Sequence, residues 1–238
     1  MDKYIVANWK MNNDFLDIPS YVKYLKKNLK KEKNIVVCVP HVMVKTFADA
    51  AKNAIDTGAE NCYYAEKGAY TGETSAKMVK SAGANYVIIG HSERRQIFGE
   101  TNDMLSKKTA AALAAGLKVI FCIGETLDEK SKFKSVLKKQ IIEGFAGIND
   151  FSNIIVAYEP VWAIGTGKVA TIADIEKVHA YIKSVLKENF NVDLPILYGG
   201  SVKPENSAEI LALADVGGVL VGGACLKAES FANIAKSR

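Results

Sequence analysis

Apolar, strand-like runs recur in this chain about every 30 residues, the length of one strand–helix unit. Eight can be read: Tyr4 to Asn8, Ile35 to Val39, Thr57 to Asn61, Tyr86 to Gly90, Val119 to Ile123, Ile154 to Glu159, Ile196 to Tyr198 and Gly218 to Val221. The third and the last are the weakest. Strands such as Val87-Ile88-Ile89 are apolar throughout rather than alternating, the pattern of parallel strands covered on both faces. Amphipathic stretches lie between them. Val22, Leu25 and Leu29 share a helical face, as do Phe133, Val136, Leu137 and Ile141, and Ile175, Val178, Ile182 and Val185. Thr126 with Glu129 and Thr171 with Asp174 read as capping boxes, and Pro204 suits the first turn of a helix. No linker or charge block divides the 238 residues. The expectation is an α/β fold in which residues 1–238 form a single (β/α)8 barrel, parallel strands inside and helices outside.

Composition narrows the classes of partner. The net charge of +5 comes almost entirely from lysine, with arginine only at Arg94, Arg95 and Arg238. The lysines are spread over predicted helix faces, not gathered into a stripe with aromatic readers, so no nucleic-acid partner is expected. Cys38, Cys62, Cys122 and Cys225 are far apart and without metal-ligand spacing, which suits free thiols in a reducing compartment. Tyr4 to Ala7 is too short for a signal peptide, and no apolar run has membrane-spanning length. A cytoplasmic location, with no membrane partner, is the expectation.

In a barrel of this kind the chemistry sits at the C-terminal ends of the strands. Asn8-Trp9-Lys10 follows the first strand, Gly90-His91-Ser92-Glu93 the fourth, Glu159-Pro160 the sixth, Tyr198-Gly199-Gly200-Ser201 the seventh and Gly222-Gly223 the eighth. An amide, an ammonium, an imidazole and a carboxylate thereby converge on one mouth. Two Gly-Gly turns there can aim backbone N–H groups at an anion. The stretch AYEPVWAIGTGK, Ala157 to Lys168, sets one acid at a strand end beside a proline and before a glycine-containing turn, an arrangement that suits a base under a lid.

Seven motifs then appear in one order: NWKMN (Asn8 to Asn12), GAYTGE (Gly68 to Glu73), GHSERR (Gly90 to Arg95), CIGE (Cys122 to Glu125), AYEPVWAIGTGK, YGGSV (Tyr198 to Val202) and LVGGA (Leu220 to Ala224). In these the sequence closely resembles the triosephosphate isomerase family over nearly its whole length. The resemblance implies a TIM barrel that interconverts dihydroxyacetone phosphate and D-glyceraldehyde 3-phosphate, with no metal or organic cofactor. It implies Glu159 as general base and His91 as a neutral electrophile. Lys10 would supply positive charge and Asn8 a hydrogen-bond donor. Glu93 would orient Lys10, with Ser92 opening a short helix beside His91. The resemblance further implies phosphate held by Gly165, Ser201, Gly222 and Gly223, and a lid of Pro160, Val161, Trp162, Ala163, Ile164, Gly165, Thr166, Gly167 and Lys168. Tyr198 would latch that lid, and Trp162 would swing toward Glu125. A homodimer through the Cys62 to Glu73 loop, with Thr71 reaching the partner's site, is implied by the same resemblance.

The sequence departs from the family pattern at the short loop after Glu125, at Ile172, at Glu60 and at Cys225. Two rivals stand beside this reading. Another phosphate-binding barrel, such as an epimerase, wants metal ligands or a second base, for which only His41, His91 and His179 are available. A scaffold that has lost activity has no need of Lys10, His91 and Glu159 together.

Overall fold

The computed structural model describes residues 3–30, 32–52, 54–163 and 170–238. Eight parallel strands close into a barrel in sequence order: β1 (Tyr4–Asn8), β2 (Ile35–Val39), β3 (Asp56–Ala59), β4 (Tyr86–Ile89), β5 (Lys118–Ile123), β6 (Ile154–Tyr158), β7 (Ile196–Tyr198) and β8 (Gly218–Val221). The seam pairs Tyr4 with Gly218 and Ala7 with Val221. Gly218 is required there: its φ is +151°, and a Cβ would collide with the carbonyl oxygen of Tyr4.

The uniformly apolar strands are explained by two cores. Val6, Cys38, Tyr86, Ile88, Ile120, Cys122, Ala157 and Leu197 fill the barrel interior. Their neighbours along the same strands, such as Ile5, Val37, Val87, Ile89, Val119, Phe121 and Val156, join the larger cluster that includes the surrounding helices. Successive side chains point to opposite faces, and both faces are dry. The helices are α1 (Asp17–Asn28), α2 (Val44–Ala51), α3 (Ala76–Ser81), α4 (Ser92–Gln96), α5 (Asn102–Ala114), α6 (Phe133–Gly144), α7 (Ile172–Phe190), α8 (Pro204–Ala212) and α9 (Ala228–Lys236).

Local signals act largely as read, with one shift. Thr171 caps α7 by accepting the N–H of Asp174, and Pro204 opens α8. Glu129 does bond back to the N–H and hydroxyl of Thr126, at 2.9 and 3.0 Å. That pair closes a turn rather than starting the helix: a 3-10 segment, Lys130–Lys132, intervenes before α6 begins at Phe133. The third strand lies at Asp56–Ala59, slightly earlier than the sequence suggests, because Thr57 pairs with Val37. All four cysteines are buried and unpaired. No described helix is long and apolar enough to cross a membrane.

Candidate active site

Because all strands run parallel, the residues following β1, β4, β6, β7 and β8 meet on one rim. A cavity of about 720 Å³ opens there, and Asn8, Lys10, His91, Glu159, Ser201, Gly222 and Gly223 all line it. The sequence motifs brought to this mouth thus share one space.

Lys10 reaches it through a non-glycine backbone at φ +54°, in the left-handed region. Such a conformation costs about 1–2 kcal/mol and needs local support. Asn8 supplies it, its side-chain oxygen accepting the Lys10 N–H at 3.1 Å, which leaves the Asn8 amide NH₂ as a donor. The Lys10 ammonium donates to Glu93 at 2.8 Å. A Cβ on Gly222 would lie 3.7 Å from that ammonium, so the positive charge stands directly beside the last glycine turn.

His91 precedes α4 and accepts the N–H of Glu93 at Nδ1, 3.2 Å away. A nitrogen accepting a hydrogen bond carries a lone pair, so the proton of the neutral ring is on Nε2. That Nε2 faces Glu159 Oε1 at 3.0 Å. The second oxygen of Glu159 accepts the Ser92 N–H at 2.9 Å. Glu159 is 2% exposed, and Gly199 makes room for it: a Cβ there would meet Glu159 Cγ at 2.9 Å. Burial pushes the Glu159 carboxyl up, but His91, the Ser92 N–H and Lys10 outweigh it and hold the group below the usual carboxylate range. At His91 burial lowers the pKa, and the facing Glu159 carboxylate overcomes this and raises it. Glu93 adds to the rise and Lys10 opposes it. Burial and the Lys10 ammonium both act toward the neutral ring.

The remaining predicted residues surround this centre. The Ser201 hydroxyl donates to the Ala163 carbonyl at 2.7 Å. Trp162 already bonds Glu125, Nε1 to Oε1 at 2.9 Å, and the Tyr158 hydroxyl donates to the same oxygen at 3.0 Å. Trp162 thus stands at Glu125 in the same arrangement in which Glu159 is bonded to His91. Tyr198 lies beneath the cavity; burial pushes its hydroxyl up to about 12, with the Ala170 amide opposing. Ile164, Gly165, Thr166, Gly167 and Lys168 lie outside the described residues.

Sequence reasoning missed Arg95. Its guanidinium bonds the carbonyls of Gly90 and Cys122, both at 2.9 Å, tying the end of β4 to that of β5 beneath His91. It also missed Lys203 and Lys227, which line the outer cavity. Only the lysine-bearing loops flanking the glycine turns could have signalled the latter two. Among the described residues no group of three or more His, Cys, Asp and Glu side chains is placed to hold a metal ion.

The family profile "Triosephosphate isomerase" matches residues 3–238. The chain belongs to the triosephosphate isomerase family. A relative from Bacteroides fragilis with that name is 48% identical over 248 residues, covering 98% of each chain. One from Geotalea uraniireducens is 45% identical, covering 98% of this chain and 97% of the relative. The crystal structure of triosephosphate isomerase from Bartonella henselae superposes with a TM-score of 0.92 at 38% identity, over 100% of this chain and 99% of that one. Family membership thus extends across the whole barrel, including every strand end that lines the cavity.

Proposed function

We propose that the chain interconverts dihydroxyacetone phosphate and D-glyceraldehyde 3-phosphate, in glycolysis and gluconeogenesis, by moving a proton between adjacent carbons through an enediolate. The observation that carries this reading is the single cavity lined by Asn8, Lys10, His91 and Glu159 beside the Ser201 and Gly222-Gly223 turns. Substrate phosphate sits against the N–H groups of Gly165, Gly222 and Gly223 and of Ser201, whose hydroxyl exchanges the Ala163 carbonyl for phosphate oxygen. Glu159 leaves His91 and Ser92 and takes the proton from the carbon beside the carbonyl. The freed Nε2–H of His91, the Lys10 ammonium and the Asn8 amide then face the oxygens on which negative charge grows. The proton returns from Glu159 to the neighbouring carbon, and no net proton or electron is consumed.

A positioned base supplies about 10² to 10⁴ in rate, and a preorganised donor about 3 to 4 kcal/mol more. Binding of the remote phosphate supplies further stabilisation by drawing Pro160 to Lys168 over the site as a lid, with Tyr198 as its latch. A closed lid keeps water from the enediolate. For the epimerase reading the other two histidines are engaged elsewhere: His41 bonds the Asn61 carbonyl, and His179, 0% exposed, packs against Tyr158 and Tyr198.

The protein works, on this reading, as a cytoplasmic homodimer. Residues Glu66 to Glu73 of the Cys62 to Glu73 loop are exposed. Met11, Ile97 and Phe98, 96%, 72% and 63% exposed, are large apolar side chains left for a second copy to cover. Thr71, at the tip, would enter the partner's site. A coupled assay of glyceraldehyde 3-phosphate isomerisation tests the activity: turnover is expected, and its absence from folded protein would overturn the reading. Light scattering at micromolar concentration tests the dimer, a monomer mass being the contrary result.

A further inference from the structure

The ladder between β4 and β5 ends at the pair Ile89 and Phe121, whereas that between β5 and β6 runs on to Ile123 and Tyr158. The β4–β5 ladder thus stops one residue before Gly90, where the chain bends at φ +73° toward His91. A side chain takes over at that point. Arg95 Nε donates to the Gly90 carbonyl and Nη2 to the Cys122 carbonyl, both at 2.9 Å, while Nη1 donates to Asn102 Oδ1 at 2.7 Å. A Cβ on Gly90 would lie 3.2 Å from Nη2 and 2.8 Å from Leu105 Cδ1, so the missing side chain lets the guanidinium come this close. These bonds join two peptide units that matter to the site. The Gly90 carbonyl belongs to the peptide that carries the His91 N–H. The Cys122 carbonyl belongs to the peptide of Ile123, whose own carbonyl accepts the Glu159 N–H at 2.7 Å. The backbone of His91 is thereby tied through Arg95 and the end of β5 to the backbone of Glu159.

We propose that Arg95 is a positioning residue for isomerisation: by bonding the Gly90 and Cys122 carbonyls at once, it sets the separation between the His91 imidazole and the Glu159 carboxylate across β4, β5 and β6. The proposal rests on the roles given above to His91 and Glu159. Arg95 acts through the backbone and not by touching the triose. Its planar fork places donors in fixed directions, which is what two carbonyls on neighbouring strands require. Lysine keeps the charge and loses the fork. A catalytic group displaced by about 1 Å costs on the order of 10²-fold in rate, even when the change is made away from the chemistry.

A split between turnover and binding separates this role from plain support of the fold. On the proposed function the substrate phosphate is held by the turns after β7 and β8, away from this tie. Wild type, Arg95→Lys and Asn102→Ala are compared by steady-state isomerisation and by inhibition with inorganic phosphate, with circular dichroism reporting the fold. Arg95→Lys is expected to lower kcat by about 10- to 10²-fold, with KM and phosphate inhibition near wild type. Asn102→Ala removes only the acceptor of Nη1 and should lower kcat in the same direction, by less. A folded Arg95→Lys with near-normal kcat overturns the proposal. So does a loss in which KM and phosphate inhibition worsen in step with kcat, because that marks a loosening of the whole mouth. If Arg95→Lys does not fold, Asn102→Ala carries the test, and an unchanged kcat is the contrary result. Wild type that folds and binds phosphate without isomerising the triose removes the proposed function and this role with it, an outcome distinct from the others.

Discussion

Two lysine–glutamate pairs in this chain share their chemistry and differ in their setting. Lys10 and Glu93 meet at 2.8 Å with side chains 25% and 42% exposed, Lys10 lining the site cavity and both lining the pocket that adjoins it. Lys108 and Glu100 meet with both side chains 2% exposed, and Glu100 Oε1 also accepts from Arg94 while Lys108 donates to Asn61. The first ammonium keeps solvent within reach, so its charge is available, on the proposed mechanism, to a bound substrate. The second is consumed by its neighbours. Breaking a buried pair leaves an uncompensated charge, whereas an exposed pair contributes little to stability.

That contrast fails if the two lysines behave alike. Lys108→Met should cost about 3–5 kcal/mol, lowering Tm by roughly 6–20 °C, while surviving folded enzyme keeps its turnover; thermal melts and a coupled assay read both. Lys10→Met should do the reverse: kcat/KM falling by about 10² to 10³ or more, with Tm nearly unchanged.

Glu60 sharpens the comparison as a largely enclosed carboxyl without a lysine of its own. One of its oxygens is buried with no hydrogen-bond partner. Burial raises its pKa to about 8, the Lys10 backbone and ammonium opposing and Glu93 adding to the rise. A carboxyl with a raised folded pKa favours the fold below its unfolded value, about 4.5, and that contribution is lost as pH rises through 8. Glu60→Gln should therefore be more stable than wild type by about 2 kcal/mol near pH 8, with the difference vanishing near pH 4. Denaturant melts at the two pH values check it.

Much of this was legible in the sequence, because the barrel writes itself locally. Five-residue runs such as Ile35–Val39 are apolar on both faces, and the cap at Thr171 is a one-residue signal with a local partner. The cavity residues could be placed together because parallel strands carry every strand end to one rim. The Thr126 cap misleads because its hydrogen bonds are the same in a turn and at a helix start; the backbone of Lys130–Lys132 decides between them. Lys108 could not be found. It lies on α5 among ordinary surface-type residues, and its partners Glu100 and Asn61 come from an irregular segment and the loop just after β3, brought together only by the closed fold. Arg95 was visible in its motif, but its acceptors are backbone carbonyls on two strands, which side-chain patterns do not reveal.

On the proposed mechanism, isomerisation depends on the Glu159 carboxylate being delivered to one carbon of a bound triose phosphate. Glu159→Asp keeps the charge and withdraws the carboxylate by about 1 Å, which should lower kcat on the order of 10²-fold. Steady-state isomerisation by the purified, folded variant measures this directly. A fall of that size is the predicted result; near-normal turnover would contradict the role given to Glu159.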